Sequence, residues 1–186
     1  MRPVLGQHTA REHEALIKWA SGRSSLVEIG VAEGASAVAL RGAMSPGGTL
    51  VLIDPFHLSR IRAINATRRA AHRAVRSCRN GRVRWIEEFS STAANTWNGS
   101  IDFLFIDGDH SETAVQQDWD SWHRFVVPSG VVAFHDAATF PGGWTREEWG
   151  PVRLINRLFR EGALSGWRIV QQIDSLVVVE RLSTNR

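Results

Sequence analysis

The sequence predicts a doubly wound α/β fold with a mostly parallel sheet of seven strands ending in an antiparallel hairpin. Three observations carry this prediction. Short apolar segments alternate with stretches of helical periodicity along most of the chain. The first apolar segment runs into a glycine loop that opens a helix, and carboxylates stand at the ends of the second and fourth. Two further apolar segments close the chain across a short turn, as a hairpin does.

Taken in order, a helix is expected over residues 8–20, followed by the strand Ser25-Leu26-Val27-Glu28-Ile29, a loop, and a helix over 36–44. Pro46-Gly47-Gly48 makes the next turn, and Thr49-Leu50-Val51-Leu52-Ile53-Asp54 has the unbroken apolar run of a parallel strand buried on both faces. A long helix over 58–78 leads through Asn80-Gly81 to a third strand at 82–86 and a short helix near 91–96. The fourth strand is Ile101-Asp102-Phe103-Leu104-Phe105-Ile106-Asp107, the next helix spans 113–125, and the fifth strand spans 130–135. A helix over 152–158 precedes the hairpin strands 167–171 and 176–180. Residues 137–150, with Pro141-Gly142-Gly143, form the least regular stretch and the candidate substrate loop.

A chain of 186 residues fits one domain over 1–186, with 1–24 as an amino-terminal helical segment. Hydrophobic and charged fractions of 43% and 22% are those of an ordinary globular chain, and no apolar run approaches the roughly 20 residues of a membrane span, so no membrane partner is expected. The first residues lack the apolar stretch of a signal peptide and Cys78 has no second cysteine to pair with, so a cytoplasmic location is expected. Lys18 is the only lysine, and nine arginines fall between Arg60 and Arg84. That stripe suits phosphate, but no aromatic residues are interleaved as base-stacking platforms, so a solvated helix face is the better reading and nucleic acid is not favoured.

In Glu28-Ile29-Gly30-Val31-Ala32-Glu33-Gly34-Ala35-Ser36, the two glycines allow a ligand close to the backbone, and the helix start offers unpaired amides. The Gly-x-Gly-x-x-Gly spacing of a dinucleotide site is absent, and Glu28 and Glu33 oppose a pyrophosphate. They suit a ligand whose amino-acid end carries an ammonium and a sulfonium. Asp54, twenty residues beyond Gly34, is placed to accept hydrogen bonds from ribose hydroxyls.

The stretch Phe105-Ile106-Asp107-Gly108-Asp109-His110-Ser111 delivers three titratable groups to the ligand edge, and Phe134-His135-Asp136 ends the neighbouring strand. Adjacent strands lie roughly 5 Å apart, so Asp107, His135 and Asp136 converge as candidate ligands of an octahedral Mg²⁺ or Mn²⁺ with positions left for water and a substrate oxygen. His110 is the candidate general base, because histidine as a residue type has an unperturbed pKa of about 6.5, near working pH. Trp144, Trp149, Phe140 and Trp122 are candidates for stacking on an acceptor, and Arg146 for pairing with an acidic one.

The segment Val27-Glu28-Ile29-Gly30 through Ser36, followed by Leu52-Ile53-Asp54, resembles motif I and the acidic loop of class I S-adenosylmethionine-dependent methyltransferases, whose fold is Rossmann-like. The resemblance implies a cofactor site in which Glu28, Gly30, Gly34 and Ser36 lie around the methionine portion, Asp54 holds the ribose, Phe56, Phe89 and Ser90 flank the adenine, and Asp107 closes the site. Ile106-Asp107-Gly108-Asp109-His110-Ser111 with Phe134-His135-Asp136-Ala137 resembles metal-dependent O-methyltransferases of macrolide and aminocoumarin sugars and, more distantly, catechol O-methyltransferases. In those enzymes the counterpart of Asp107 binds the metal, an acidic pair after the fifth strand completes it, and the residue at the position of His110 is the base. This chain departs at His135, where the sugar enzymes carry a carboxylate. The implied activity is methylation of a hydroxyl on a sugar, phenol or natural product, with S-adenosyl-L-methionine as cofactor, a divalent metal, Asp107 and His110 as catalytic residues, and a homo-oligomer as a further option. Competing readings are an RNA methyltransferase using the 60–84 stripe and a cofactor-binding relative with hydroxylase-like or no transferase activity.

Overall fold

The computed structural model describes residues 8–56 and 65–183. Its strands are β1 (Ser25–Ile29), β2 (Thr49–Ile53), β3 (Arg82–Ile86), β4 (Ile101–Ile106), β5 (Val126–Phe134), β6 (Trp167–Ile173) and β7 (Leu176–Arg181). They form one sheet in the order β3-β2-β1-β4-β5-β7-β6. The first five run parallel, and β7 lies antiparallel between β5 and β6. Strand order turns back between β1 and β4, so the crevice beyond their carboxyl ends is where a doubly wound sheet binds its ligand.

Side chains alternate across each strand, and the parity assigns the layers. Leu26, Leu50, Leu52, Phe103 and Phe105 face one way, against α1 (Ala10–Ala20), α2 (Ala35–Ala43) and α3 (Ala66–Ser77). Val27, Val51, Ile53, Leu104 and Ile106 face the other way, against α4 (Ser90–Asn95), α5 (Glu112–Trp122) and α6 (Gly150–Ile155). Trp122, expected as a stacking residue for the acceptor, is fully buried in this second layer, where its indole donates to the Ser90 carbonyl; it belongs to the core.

Three boundaries differ from expectation for identifiable reasons. β5 starts at Val126, because its pairing with β4 continues past a bulge in which Val127-Pro128-Ser129-Gly130 opposes Asp102. Proline supplies no ladder donor and Ser129 has φ 62°, both features of the bulge, and the expected strand began only beyond them at Gly130. α5 ends at Trp122 and a 3₁₀ turn, His123–Phe125, completes the expected span. α3 is capped by Asn65, whose side chain accepts from the Arg68 amide at 2.9 Å; the earlier part of the expected helix, with Arg60 and Arg62 of the basic stripe, lies outside the described residues. Among the described residues, no helix is long and apolar enough to cross a membrane.

The start of α1 is pinned to the far end of the chain. Thr9 and Glu12 form a capping box, Thr9 Oγ1 accepting from the Glu12 amide at 3.1 Å and Glu12 Oε2 accepting from the Thr9 amide at 2.7 Å. The other oxygen of Glu12 accepts from the Ser175 amide at 2.8 Å and its hydroxyl at 2.6 Å, in the turn between β6 and β7. Glu12 is fully buried. Burial alone would raise its pKa, but the hydrogen bonds it accepts and the neighbouring His135 bring it down to about 2.

Candidate active site

The carboxyl ends of β1, β2 and β4 open onto a cavity of about 520 Å³, within the size range of small-molecule sites. Six of the residues expected at the cofactor line it: Gly30, Asp54, Phe56, Phe89, Ser90 and Asp107. Asp54 also builds the loop, its carboxylate accepting from the amides of Val31 (2.9 Å), Ala32 (3.1 Å) and Phe56 (2.8 Å). Phe89 is 59% exposed at the rim, a large apolar surface facing the opening.

Glu28, Gly34 and Ser36, expected at the methionine portion, are not among the lining residues. Glu28 shares the parity of Leu26 and so points into the α1–α3 layer, fully buried, where it accepts a short hydrogen bond from Ser36 Oγ. Burial pushes its carboxyl pKa well above the ordinary value, and Asp107 and Asp54 nearby raise it further. Gly34, with φ +86°, stands where an added Cβ would come within 3.2 Å of Ala71 Cα, so its role is the close passage of α2 over α3. The carboxylates facing the cavity are therefore Asp54, Asp107, Asp109 and Asp118 rather than Glu28.

Sequence reading missed Asp118. It is buried, lies on the inward stripe of α5 with Val115, Trp119 and Trp122, and accepts a short hydrogen bond from Ser90 Oγ. A carboxylate at core spacing on a helix was the available signal. Burial raises its pKa to about 6. Because the folded state binds this proton more tightly than the unfolded chain, stability falls as pH rises from about 4 to 6 and stays lowered above that. The gap between 3.8 and about 6 corresponds to roughly 3 kcal/mol. Asp118→Asn is therefore expected to raise the melting temperature by several degrees at pH 8 and to leave it nearly unchanged at pH 4; equal melting curves at pH 8 would refute the buried-charge argument.

Behind Asp107 lies a cluster of carboxylates and imidazoles. Pairing of β4 with β5 sets Ile106 beside Phe134, so the next residues, Asp107 and His135, emerge side by side. His135 Nδ1 is 3.1 Å from Asp107 Oδ1 and 3.4 Å from Asp136 Oδ2. His110 Nε2 approaches the same two oxygens, at 3.9 and 3.4 Å. Two overlapping triads each bring one ligand atom per residue within 4.8 Å, Asp107-His110-Asp136 and His8-Asp107-His135, so the expected ligands Asp107, His135 and Asp136 are divided between them and His110 stands with the carboxylates. Donor atoms of an ion with bonds of about 2.1 Å stand roughly 3 Å apart at right angles, so the mixed nitrogen and oxygen set fits a divalent ion. His135 is 1% exposed and also lies 3.5 Å from Glu12 Oε2. Burial works against its proton, but the Asp107, Asp136 and Glu12 carboxylates around the ring outweigh it and push its pKa up to about 12. His110 is raised as well, chiefly by its hydrogen bond to Asp107, while the imidazoles hold Asp107 well below the carboxylate range against the opposing effect of burial.

The 137–150 segment closes over this cluster. Trp144 Nε1 donates to Asp136 Oδ1 at 2.6 Å, the Trp149 ring stacks on His110 with centroids 5.3 Å apart, and the Gly150 amide donates to the His110 carbonyl at 3.0 Å. Phe140 packs edge-on against Trp144. Arg146 donates to the carbonyls of Gly143, Trp144 and Thr145, so its guanidinium stiffens the loop.

A family model described as a methyltransferase domain matches residues 27–137, more than half of the chain. Similar solved folds include the O-methyltransferase TomG of Streptomyces achromogenes, in complex with S-adenosylmethionine, at 18% identity and TM-score 0.69 over 97% of this chain and 83% of that one. An O-methyltransferase of Bacillus cereus matches at 16% identity and TM-score 0.64 over 94% and 82%. A rRNA methylase of Streptococcus thermophilus matches at 12% and 0.57 over 92% and 95%. Relatives acting on different acceptors share this sheet, so the fold alone does not select the substrate. With the match running from β1 through Asp107 to the end of β5, the chain belongs to the class I S-adenosylmethionine-dependent methyltransferases.

Proposed function

We propose that this chain methylates a hydroxyl group of a small molecule, with S-adenosylmethionine in the cavity, a divalent ion at Asp107, and His110 as general base. One observation carries the reading: Asp107 both lines the cavity and stands in the cluster that holds His110, His135 and Asp136. The cofactor would supply an electrophilic methyl, and the ion would lower the pKa of an acceptor oxygen. Asp107, Asp136 and His135 would hold that ion. His110, whose side chain is 36% exposed beside Asp136, would take the acceptor proton once the ion, rather than its imidazole, neutralises the Asp107 and Asp136 carboxylates. Trp149 fixes the imidazole plane, and Trp144 fixes Asp136. Since in-line transfer is governed by alignment, the 137–150 segment contributes by excluding water and orienting the acceptor. TomG and the Bacillus cereus protein, both named as O-methyltransferases, support a hydroxyl acceptor.

Calorimetric titration with S-adenosylmethionine, followed by transfer of labelled methyl to phenols, sugars and RNA with and without EDTA, tests the reading. Cofactor binding, transfer to a phenol or sugar, and loss of transfer in EDTA with recovery on adding Mn²⁺ or Mg²⁺ are expected. Absence of cofactor binding overturns the assignment. Transfer indifferent to EDTA removes the ion, and methylation of RNA alone replaces the acceptor class.

A further inference from the structure

We propose that His8, with His135 and Asp107, forms a two-histidine, one-carboxylate site for a divalent transition metal, and that Glu12 is the positioning residue for His135. This rests on the reading that an ion binds at Asp107 and His135; it puts His8 of the amino-terminal segment in the ligand set in place of Asp136 and names the class of metal.

The placement follows from parity. Asp107 and His135 both emerge on the face that α1 covers, and His8 immediately precedes the Thr9 cap of that helix. His8 Nε2 lies 3.5 Å from Asp107 Oδ2, while His135 Nδ1 lies 3.1 Å from Asp107 Oδ1. The two imidazole rings are 4.3 Å apart, and one ligand atom from each of the three residues falls within 4.8 Å of the others. The His8 side chain is only 6% exposed, and its buried Nε2, like Nε2 of His135, has no hydrogen-bond partner, the Asp107 carboxylate standing 3.5 Å away. A buried polar atom left unpaired is costly, and a cation shared with Asp107 would satisfy it.

Glu12 explains why His135 presents Nδ1. Its carboxylate stands 3.5 Å from His135 Nε2, on the side away from Asp107, and is itself fixed by the Thr9 amide and Ser175. A carboxylate behind a histidine sets the ring orientation and tautomer of metal-binding imidazoles, leaving the opposite nitrogen to the ion. Two imidazoles change the preference of the site. Mg²⁺ and Ca²⁺ favour oxygen donors, whereas imidazole suits borderline first-row ions, so Mn²⁺, Fe²⁺ and Co²⁺ should bind ahead of Mg²⁺. The ligand also couples metal binding to docking of the α1 start.

The test reads metal binding directly, without methyl transfer. Co²⁺ is titrated into the full chain by visible absorption, with Mg²⁺ as competitor, and nitrogen couplings of bound Mn²⁺ are measured by pulsed electron paramagnetic resonance. Co²⁺ should resist displacement by excess Mg²⁺; His8→Ala should weaken Co²⁺ binding at least tenfold and remove one imidazole coupling, and Asp107→Ala should abolish binding. Glu12→Gln keeps an N3 side chain able to close the capping box, and should still weaken Co²⁺ binding about 10- to 100-fold. Melting of the metal-free variants separates ligand loss from unfolding, and the couplings in the unmutated protein need no variant. If His8→Ala binds Co²⁺ with unchanged affinity and spectrum while Asp107→Ala does not bind, the His8 site is overturned and the Asp107-centred reading stands. If the unmutated protein binds neither Co²⁺ nor Mn²⁺, both fall, and if Mg²⁺ binds more tightly than Co²⁺, the class of metal is overturned.

Discussion

Replacing His110 with alanine is expected to lower methyl transfer between 10²- and 10⁴-fold while leaving affinity for S-adenosylmethionine within about twofold. The two effects separate because His110 is not among the residues lining the cavity, whereas its Nε2 stands 3.4 Å from Asp136 Oδ2 at the edge where an acceptor would enter. The stabilising bond from the Gly150 amide goes to the His110 carbonyl, so alanine retains it and loses the stack on Trp149, about 1 kcal/mol, together with the approach of Nε2 to Asp107 and Asp136. Asp107→Ala should behave differently: that residue lines the cavity and also joins the cluster, so both cofactor affinity and rate should fall. Single-turnover rates with calorimetric dissociation constants make the comparison. A His110→Ala enzyme that loses cofactor affinity in step with rate, or loses no rate, would remove His110 from the chemistry.

The alternation of strand and helix was readable because parallel strands buried on both faces are apolar throughout, and the glycine loop and the carboxylates at strand ends mark their carboxyl edge. The convergence of Asp107, His110, His135 and Asp136 was equally readable, since neighbouring strand ends must meet. Glu28 was misplaced although the means to place it were present: it has the parity of Leu26, so its side chain had to enter the α2 layer. Asp118 stood at core spacing on its helix and could have been found, whereas His8 and Glu12 could not be assigned from local pattern. His8 and Glu12 reach the cluster only because α1 docks against the β6–β7 turn, and that contact joins residues more than 160 positions apart. The capping box fixes Glu12 at the helix start but carries no information about what lies beyond its carboxylate. Metal-ligand candidates drawn from one sheet edge were therefore legible, and those contributed by a packed helix were not.

Gly30→Ala is expected to cost about 3–5 kcal/mol and to lower the melting temperature by roughly 10 °C. At φ +85° a side chain is already strained, by about 1–2 kcal/mol. The added Cβ would also fall 2.1 Å from the Asp107 carbonyl oxygen and 2.8 Å from Gly108 Cα, atoms of backbone that no rotamer change moves. That backbone is held on both sides: the Asp107 amide donates to the Ile29 carbonyl at 2.9 Å, and the Gly30 amide to the Ile53 carbonyl at 3.0 Å. Relief of the clash must spread β1 from β4 at the strand ends, which displaces Asp107 from both the cavity and the cluster. Cofactor and metal binding should therefore weaken together, unlike the separation expected for His110→Ala. Gly42→Ala in α2 is the matched control, because nothing lies within 4 Å of its added Cβ and alanine is favoured within a helix by about 0.5–1 kcal/mol. Thermal melting of both variants decides the matter: if Gly30→Ala melts with the unmutated protein and binds cofactor normally, the close approach of the glycine loop to the Asp107 backbone is not what shapes this site.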